Sequence, residues 1–509
     1  MTNHYYITTA IDYPNGRPHI GHAYEKTLAD LYARWHKLLG KKTFFLTGTD
    51  ENGQKLELSA QTHNYPNTQS YVDHHSEYFR QCAQTFAPSH TDFIRTTEDR
   101  HLNTVKTWWR HLSSKGDIYQ GEYAGLYCYH CEQFIPQNKI KEGNLCPIHE
   151  KPLTALKEKG YFFKLSKYQD TIKDLLTHHP EFVFPSSAYE EMLSRIVSEP
   201  LMDLPVSRKS KGWGIPVPDD SAFVIYTWFD ALINYYSVIS CGDLPQDAWP
   251  PDGHIIGKDI TWFHAVIWPA MLTALELQLP KKIIVHGMVL DGQGKKMSKT
   301  AGNIISPTQL TAHFPLDSIR YVFLRYISHG SDGKISLETI QTKHNQELAN
   351  DLGNLVSRLI KLSLKKLGTH ITAISSSPKV ASLSADASKL IEKVCKDMET
   401  YHHHKAMDHL FEEVSALNAY LNQEKPWGLD NTQSIHNIIY PCLFRLNILT
   451  WLLSPFMPSI AERILSYLGI KDLSIFSPWI QPPHSHNTFA PNFQLTSPEP
   501  LFVKIETLS

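Results

Sequence analysis

Two imidazole side chains flank a glycine near the start of the chain, in the segment Pro18-His19-Ile20-Gly21-His22. Turn-forming residues 14–18 lead into this segment and a helical apolar pattern follows it, which predicts a strand-to-helix turn. Unpaired N–H groups and the dipole at a helix N-terminus favour an anion, and imidazoles can donate hydrogen bonds to phosphate oxygens. The segment therefore indicates a phosphate site, although two ordinary surface histidines of a first helical turn would give the same pattern.

A second segment, residues 294–303, carries closely spaced lysines between two glycines, with Lys296, Ser298 and Lys299 near its centre. Such a loop is mobile and cationic, and it is suited to closing over a polyphosphate. Its glycines and lysines stand in a different order from those of the P-loop signature, which excludes that type of nucleotide site. A solvated lysine-rich turn is the alternative, so the meaning of this loop depends on what accompanies it.

Four potential metal ligands form two short knuckles, Cys128 with Cys131 and Cys146 with His149. Their types and spacing are those of a tetrahedral structural zinc site, in which four protein ligands leave no open position for catalysis. A redox pair and cysteines without a role are the alternatives, but a redox pair normally opens a helix and this segment does not resemble one. The other four of the seven cysteines are scattered, which argues against a disulfide framework.

The elements around the histidine turn have the pattern of a βαβ unit. Residues 5–9 and 43–46 are β-prone apolar runs, and residues 20–39 between them repeat apolar side chains at helical spacing. This order predicts a parallel sheet, in which ligands bind at the carboxyl ends of the strands. Strand-then-helix patterns return at Phe223–Tyr236 and His254–Leu275, which predicts a second half of the same sheet.

The rest of the chain divides by composition and periodicity. Residues 60–118 are predicted to be helical, and residues 119–160 are loop-rich and look inserted. Helical periodicity dominates beyond Leu337, with a Ser-rich inter-helix loop near 374–386, and the three histidines His402–His404 are predicted to form a solvated face. The predicted segments are the first half of the parallel-sheet domain (1–118), an insertion with its return segment (119–222), the second half of that domain (223–289), a lysine-loop region (290–344), a helical domain (345–478) and an extended surface tail (479–509).

Composition is that of an ordinary globular protein, with 42% hydrophobic residues and a formal net charge of −2 over 509 residues. The charge gives no sign of a uniformly basic surface, although one local basic face stays compatible with it. No apolar run approaches the ~18–20 residues that span a bilayer, and the first residues lack the pattern of a signal peptide. We therefore expect a cytoplasmic protein that does not bind membranes.

Together the two signatures resemble the "HIGH" and "KMSKS" motifs of class I aminoacyl-tRNA synthetases. His19-Ile20-Gly21-His22 matches without change, and Lys296-Met297-Ser298-Lys299-Thr300 differs only in its last residue, which keeps the hydroxyl. The motifs lie about 270 residues apart, which leaves no room for the large editing insertion of the isoleucine, valine and leucine enzymes. Nearly the whole chain is similar to the methionyl-tRNA synthetase family, including residues 6–23, 45–51, 213–218, 228–232, 256–260 and 348–355.

This resemblance implies an α/β fold: a Rossmann-like parallel-sheet catalytic domain, interrupted by a zinc-knuckle connective insertion and followed by an all-α anticodon-binding bundle. It implies activation of L-methionine with ATP and Mg²⁺, followed by transfer to tRNA(Met) with a CAU anticodon. It also implies one structural Zn²⁺ held by Cys128, Cys131, Cys146 and His149. Because the chain stops soon after the helical part, we expect a monomer.

The resemblance also assigns residues to the binding sites. His19, Gly21, His22, Lys296, Ser298 and Lys299 would bind ATP, with the histidines and lysines as the catalytic groups. The methionine side chain would be lined by Ala10, Ile11, Tyr13, Trp228, Ala231, Leu232, Tyr235, Ile260 and His264. Asp50 would hold the ammonium group, and Arg208 and Asp259 the charged end of the site. Asn354, Arg358 and Trp427 would contact the anticodon, although without the resemblance Trp427 could equally be a core residue.

Two other functions stay open at this point. One is a tRNA-binding paralogue without catalysis, which the intact histidines and lysines argue against. The other is a class I synthetase for another amino acid such as cysteine, which would be expected to carry zinc ligands at its substrate pocket. ATP–pyrophosphate exchange with a panel of amino acids separates all three.

Overall fold

A computed structural model describes residues 4–128, 133–135, 140–147, 150–297, 302–373, 378–471 and 491–506, with only the backbone at 123–124, 133–134, 156–158 and 378–385. The first part alternates strands and helices, as the βαβ pattern predicts. Its elements are β1 (His4–Thr9), α1 (Ile20–Leu38), β2 (Lys42–Thr49), α2 (Gln54–Thr62), α3 (Thr68–Phe86), β3 (Asp92–Arg95) and α4 (Asp99–Ser114). The strand β3 was missed, because four residues between two helices carry too little periodicity to be recognised.

The next part of the chain is mostly antiparallel. Its elements are β4 (Ile118–Cys128), β5 (Gln133–Ile135), β6 (Thr154–Phe163), α5 (Gln169–His178), β7 (Val183–Phe184), α6 (Ser186–Ser198), β8 (Leu204–Pro205), β9 (Ser207–Lys209), β10 (Pro216–Val217) and β11 (Asp220–Ile225). A four-stranded sheet has the order β5-β4-β6-β8, and a three-stranded sheet has the order β10-β11-β9. The segment predicted as loop-rich therefore contains the long hairpin of β4 and β6.

The chain then returns to the first sheet. Its elements are α7 (Thr227–Ser240), β12 (Gly253–Gly257), α8 (Trp268–Ala274), β13 (Ile283–His286), β14 (Val289–Leu290), α9 (Pro307–His313), α10 (Leu316–Tyr326), β15 (Gly333–Lys334) and α11 (Leu337–Lys343). The main sheet has the order β3-β2-β1-β12-β13-β7, and all of its pairs are parallel. This confirms the predicted α/β fold with a parallel sheet.

One strand prediction was wrong. The run that begins at Phe223 was expected to belong to the main sheet, but β11 pairs antiparallel with β9 and β10 in the small sheet. Apolar runs indicate strands without indicating their partners, because pairing depends on the path of the whole chain. The unexpected strand of the main sheet is β7, a two-residue edge strand from the return segment of the insertion.

The last part of the chain is a helical bundle, as predicted. A ten-residue π-helical segment, His344–Gly353, leads into α12 (Asn354–Leu367), and then follow β16 (His370–Ile371), α13 (Pro378–Glu399), α14 (His403–Glu424), α15 (Thr432–Leu453), α16 (Pro458–Leu468) and β17 (Phe493–Gln494). Much of the region predicted as a Ser-rich loop is therefore the start of α13. The described tail, residues 491–506, is extended but not confined to the surface, because Leu495 and Leu501 are buried and β17 pairs with β16.

The prediction of a solvated face for the three histidines was wrong for His403, which is fully buried. Its Nε2 lies 3.0 Å from the carbonyl oxygen of Ile327, and its Nδ1 lies 3.3 Å from the hydroxyl of Tyr32. The helical bundle packs against α1 and the end of α10 here. The His403 ring, which would be exposed on an isolated helix, is therefore covered. Among the described helices, none is both long and apolar enough to cross a membrane.

Candidate active site

A cavity of about 520 Å³ opens at the carboxyl ends of the central strands. This position follows from the parallel sheet, since strand ends and the turns after them converge at one edge. The turn before α1, the residues after β2, the start of α7, the segment after β12 and the lysine loop all contribute side chains. Among the residues that line it are Ala10, Ile11, Asp12, Tyr13, His19, Gly21, His22, Asp50, Trp228, Ala231, Leu232, Tyr235, Asp259, Ile260, His264 and Lys296.

Backbone N–H groups of the histidine turn fix the tautomer of both imidazoles. His19 caps α1, and its Nδ1 accepts a hydrogen bond from the N–H of Gly21 at 3.1 Å. The Nδ1 of His22 accepts from the N–H of His19 at 3.0 Å. Because each Nδ1 is an acceptor, each neutral ring carries its proton on Nε2. Both rings therefore present N–H donors, as a phosphate requires.

Two further observations fit this form of the turn. Burial lowers the pKa of His22 to about 3, so this ring is neutral at physiological pH. A Cβ on Gly21 would lie 2.9 Å from Cε1 of His19, which is too close for an ordinary contact. The glycine is therefore needed for the capping position of the His19 ring.

The lysine loop approaches the same cavity from the side of β14. Lys296 lines the cavity and forms an isolated bridge with Leu290. Asp291 fixes the base of the loop, because its carboxylate accepts from the N–H of Lys295 and from the side chain of Asn303, both at 2.8 Å. Ser298 and Lys299, which were predicted to bind ATP, lie outside the described residues.

The end of the loop is tied to the histidine turn. The N–H of Ile20 donates to the carbonyl oxygen of Ile305 at 2.9 Å. This bond holds the chain beyond the lysine loop against the first residue of α1. The two signatures, far apart in sequence, therefore border one cavity.

The other half of the cavity is apolar and aromatic. Trp228 stacks on Phe263 with ring centroids 4.3 Å apart. The hydroxyl of Tyr235 donates to Nε2 of His264 at 2.8 Å, while Nδ1 of that ring donates to the carbonyl oxygen of Ile260 at 3.0 Å. Burial lowers the pKa of His264 to about 4, so the ring is neutral and adds no charge to the slot. An apolar slot with aromatic walls suits a flexible thioether side chain.

A carboxylate stands at the border between the two halves. Asp50 follows β2 and is largely buried, and it accepts a hydrogen bond from the hydroxyl of Thr227 at 3.0 Å. Its N–H donates to the carbonyl oxygen of Asp12 at 2.8 Å, which joins the ends of β1 and β2. A buried carboxylate here can pair with a cation such as an ammonium group.

Comparisons with known proteins show the family of the chain. The model of the family "tRNA synthetases class I (M)" matches residues 5–152 and 142–360, and the model "Anticodon-binding domain of tRNA ligase" matches residues 382–497. A methionine–tRNA ligase of Brucella suis is 37% identical over 98% of this chain and 97% of its own length. One of Rickettsia felis is 38% identical over 92% of this chain and 93% of its own.

A solved structure agrees as well. The methionyl-tRNA synthetase of Mycobacterium tuberculosis bound by methionyl-adenylate superposes with a TM-score of 0.90 and 34% identity, covering 98% of this chain and 100% of that chain. The chain belongs to the methionine–tRNA ligase family. This family belongs to the class I tRNA synthetases.

Arg208 is the one residue expected at the substrate site that does not line the cavity. It belongs to β9 in the small sheet, and it borders a separate, much smaller cavity. Its guanidinium carbon lies 4.2 Å from the ring centroid of Tyr226. The small sheet therefore places Arg208 beside the main cavity, and the tyrosine just before α7 stands next to its guanidinium.

Sequence reasoning missed several polar residues that line the cavity. These are Asp12, Glu25, Lys55, Thr227, Lys258 and His286. Lys26 was also missed; it lies under the cavity and bonds to Asp12. The sequence did contain an indication of this pair. Asp12 directly follows Ile11, which was assigned to the methionine slot, and Lys26 lies one helical turn beyond His22.

The residues expected to contact the anticodon lie together on the helical bundle. Asn354 and Arg358 are one turn apart on α12, and the guanidinium carbon of Arg358 lies 5.7 Å from the ring centroid of Trp427. Arg358 also donates to the side-chain oxygen of Asn422 at 2.7 Å. Trp427 is 44% exposed, which argues against the alternative of a core residue.

Two of the expected zinc ligands can be located. Cys128 at the end of β4 and Cys146 are both buried, and they pack in one small cluster with Ile135. Cys131 and His149 lie outside the described residues. Within the described part of the chain, no group of three or more potential ligands surrounds a common point.

Proposed function

We propose that the cavity is the site where this methionine–tRNA ligase forms methionyl-adenylate. The observation that carries the proposal is that the histidine turn, Lys296, Asp50 and the aromatic slot all line one cavity. Its volume of about 520 Å³ is in the range of ligand sites, roughly 300–1,000 Å³. The apolar half takes the methionine side chain, Asp50 takes the ammonium group, and the polar half takes ATP.

The methionine slot selects by shape and by polarity. Its lining is Ala10, Ile11, Tyr13, Trp228, Ala231, Leu232, Tyr235, Ile260 and His264. The His264 ring has both nitrogens occupied by Tyr235 and Ile260, so it offers the thioether a neutral polar face. We propose that Asp259 borders the charged end of the substrate. For Arg208 we propose an indirect role, through the position of the residues that begin α7.

Adenylate formation needs no covalent nucleophile from the protein. The methionine carboxylate attacks the α-phosphorus of ATP in line, and pyrophosphate leaves. The Nε2–H groups of His19 and His22 donate to phosphate oxygens, and Gly21 allows the backbone to approach them. Lys296 lines the cavity from the lysine loop, and Ser298 and Lys299 of the same loop are proposed to act with it on the phosphates. Mg²⁺ accompanies ATP and is bound through phosphate oxygens.

The second step uses the tRNA. A hydroxyl of the 3′-terminal ribose attacks the carbonyl carbon of the adenylate, and AMP leaves. On the helical bundle, the exposed ring of Trp427 offers a surface for stacking an unpaired base of the CAU anticodon. Asn354 and Arg358 stand beside it as donors to base edges.

We also propose one structural zinc ion held by Cys128, Cys131, Cys146 and His149. Two thiols from separate turns packed together in a buried cluster support this proposal. When bound, the ion would cross-link the end of β4 to the turn around Cys146. Metal content of the purified protein is the test: one equivalent of zinc is expected, and Cys128→Ser should lose it.

The activity itself is tested by ATP–pyrophosphate exchange with a panel of amino acids. Methionine should support exchange, and cysteine, isoleucine and leucine should not at the same concentration. Exchange with cysteine alone would favour a cysteine-specific class I synthetase, and no exchange would favour a non-catalytic paralogue.

We also propose the six-segment division of the chain, a cytoplasmic location and a monomeric state. Light scattering of the purified protein tests the monomeric state.

A further inference from the structure

A buried ion pair lies directly beneath the histidine turn. The ammonium of Lys26 bonds to Oδ2 of Asp12 at 2.5 Å, with the lysine side chain 0% and the aspartate side chain 5% exposed. Lys26 is on the second turn of α1, and Asp12 lines the cavity beside His22. A pair so buried is costly to form and costly to break, so its place next to the phosphate-binding turn requires a reason.

The carboxylate stands where a negative charge is unfavourable. A triphosphate bound at the histidine turn would meet Asp12 at short range, and like charges repel strongly in a partly desolvated cavity. Lys26 cancels this charge from below, where the ammonium cannot itself reach the cavity. The pair therefore has no net charge, and the Oδ1 atom of Asp12 is not bonded to the lysine.

That second oxygen faces His22. Oδ1 of Asp12 lies 3.9 Å from Nε2 of His22, on the side where the ring carries its proton. The distance is too long for a hydrogen bond, but it is short enough for the carboxylate to attract the N–H and favour its tautomer. The carboxylate therefore attracts the Nε2–H of His22 without accepting a hydrogen bond from it, and both groups line the cavity.

We propose that Asp12 is a positioning residue, which orients the Nε2–H donor of His22 for the triphosphate, and that Lys26 removes the charge penalty of having a carboxylate there. This inference rests on the proposed role of His22 in ATP binding. Neither residue touches a reacting atom. The pair acts through the imidazole and through the local field.

Other charged groups around Asp12 do not replace Lys26 in this role. The Glu25 carboxylate also lines the cavity, but it is paired with His286, whose Nε2 lies 3.0 Å from it. Burial raises the pKa of the Cys82 thiol on α3 to about 12, so it is uncharged. Asp50 is held by Thr227, and Lys55 lines the cavity from α2. His19 is the neighbouring imidazole of the same turn.

The test is a set of three variants assayed by ATP–pyrophosphate exchange: Asp12→Asn, Lys26→Met and the double variant. In Lys26→Met the carboxylate loses its partner, so the KM for ATP should rise by about 10-fold or more at pH 8 while the KM for methionine stays within about 2-fold. Burial already raises the pKa of Asp12, and the lysine opposes that shift. Without Lys26 the acid should be partly protonated at pH 6, and the defect should shrink there.

The double variant separates the two roles. With no charge left, its KM for ATP should return to near the wild-type value and lose the pH dependence, while kcat stays low because His22 is no longer oriented. Asp12→Asn alone, which keeps the shape, should lower kcat without raising the KM for ATP, and it carries the test if Lys26→Met does not fold. Lys281→Met, which removes a surface partner of Asp252, is the control.

Equal losses for ATP and methionine, or no recovery in the double variant, would overturn the inference. Thermal unfolding of each variant shows whether a loss follows stability alone. His22→Ala tests the proposed function separately: if it retains exchange, the ATP role of the turn is wrong. If His22→Ala loses exchange while Lys26→Met leaves the KM for ATP unchanged, only the role of the ion pair is wrong.

Discussion

The proposed catalytic cavity and the proposed anticodon face, formed by Asn354, Arg358 and Trp427, use similar residue types in opposite environments. In the cavity, Tyr235 and His264 are buried and their polar atoms bond to other parts of the protein. On the bundle, Trp427 is 44% exposed and Arg358 borders it from α12. A small substrate is enclosed by groups that the fold has already placed, whereas an RNA loop requires a ring face that is accessible before binding.

The difference teaches where each step is sensitive. Groups in the cavity act on charge development in a desolvated space, so removing one is expected to cost a large factor in rate. A stacking ring on the surface contributes area to one partner only, so removing it should weaken that partner and leave the chemistry intact. A substitution in the cavity is therefore expected to impair adenylate formation, and a substitution on the bundle is expected to impair tRNA binding alone.

The largest effect should come from the lysine loop. Lys299→Ala is expected to lower the rate of adenylate formation by about 10²–10³-fold, because it removes a cation from the transferring phosphates. Methionine binding should change much less. ATP–pyrophosphate exchange measures the rate of adenylate formation, and titration with methionine measures methionine binding. Lys334→Ala, an exposed lysine beside Gly294, is the matched control; near-normal exchange in Lys299→Ala would refute the role.

A smaller effect is expected on the helical bundle. Trp427→Ala should raise the KM for tRNA in aminoacylation by about 10–100-fold, since stacking on one base contributes about 1–3 kcal/mol. Pyrophosphate exchange, which does not use tRNA, should be unchanged. Val503→Ala provides the control for loss of an exposed apolar side chain. A parallel loss of exchange would contradict the separation of the two regions.

A single hydroxyl of the methionine slot should matter less. Tyr235→Phe leaves Nε2 of His264 without its donor, which should raise the KM for methionine by up to about 10-fold. The KM for ATP should not follow. Tyr236→Phe is the control, because that ring packs against Trp108 and Trp249 away from the slot. An equal effect of both variants would show that the hydroxyl of Tyr235 has no specific role.

The smallest change is expected from pH. Burial lowers the pKa of His22 to about 3 and that of His264 to about 4, so both rings stay neutral from pH 8 down to pH 6. Exchange rates at saturating substrates should therefore vary by no more than about 2-fold from these rings over that range. An inflection near 6.5 that disappears in His22→Gln would contradict the neutral form.

Stability should respond to the same shifts with a definite sign. Above pH 6.5 neither the folded nor the unfolded imidazoles take up protons, so the full stability is present. As the pH falls below 6.5, the unfolded chain binds protons at His22, His264 and the buried His403 before the folded protein does, and stability falls. The midpoint of thermal unfolding should accordingly decrease from pH 7 to pH 5.

The contrast between the two regions also explains what could be predicted. The histidine turn, the lysine loop and the βαβ pattern are local in sequence and could be predicted, whereas the exposure of Trp427 was decided only by the structure. The small sheet of β9, β10 and β11 could not be foreseen, because a strand does not encode its partner. Arg208 was assigned to the substrate site by the resemblance, and the structure places it at a separate, smaller cavity.

By itself the sequence determined the class of fold and the two signatures. These depend on residue type and on spacing along one or two elements, which physical chemistry makes local. The tertiary structure decided which distant residues meet. His403 is buried because the bundle packs on α1 and α10, and Asp12 acquires Lys26 because a strand end lies under the second turn of a helix. Such contacts depend on packing over the whole chain, and no local pattern contains them.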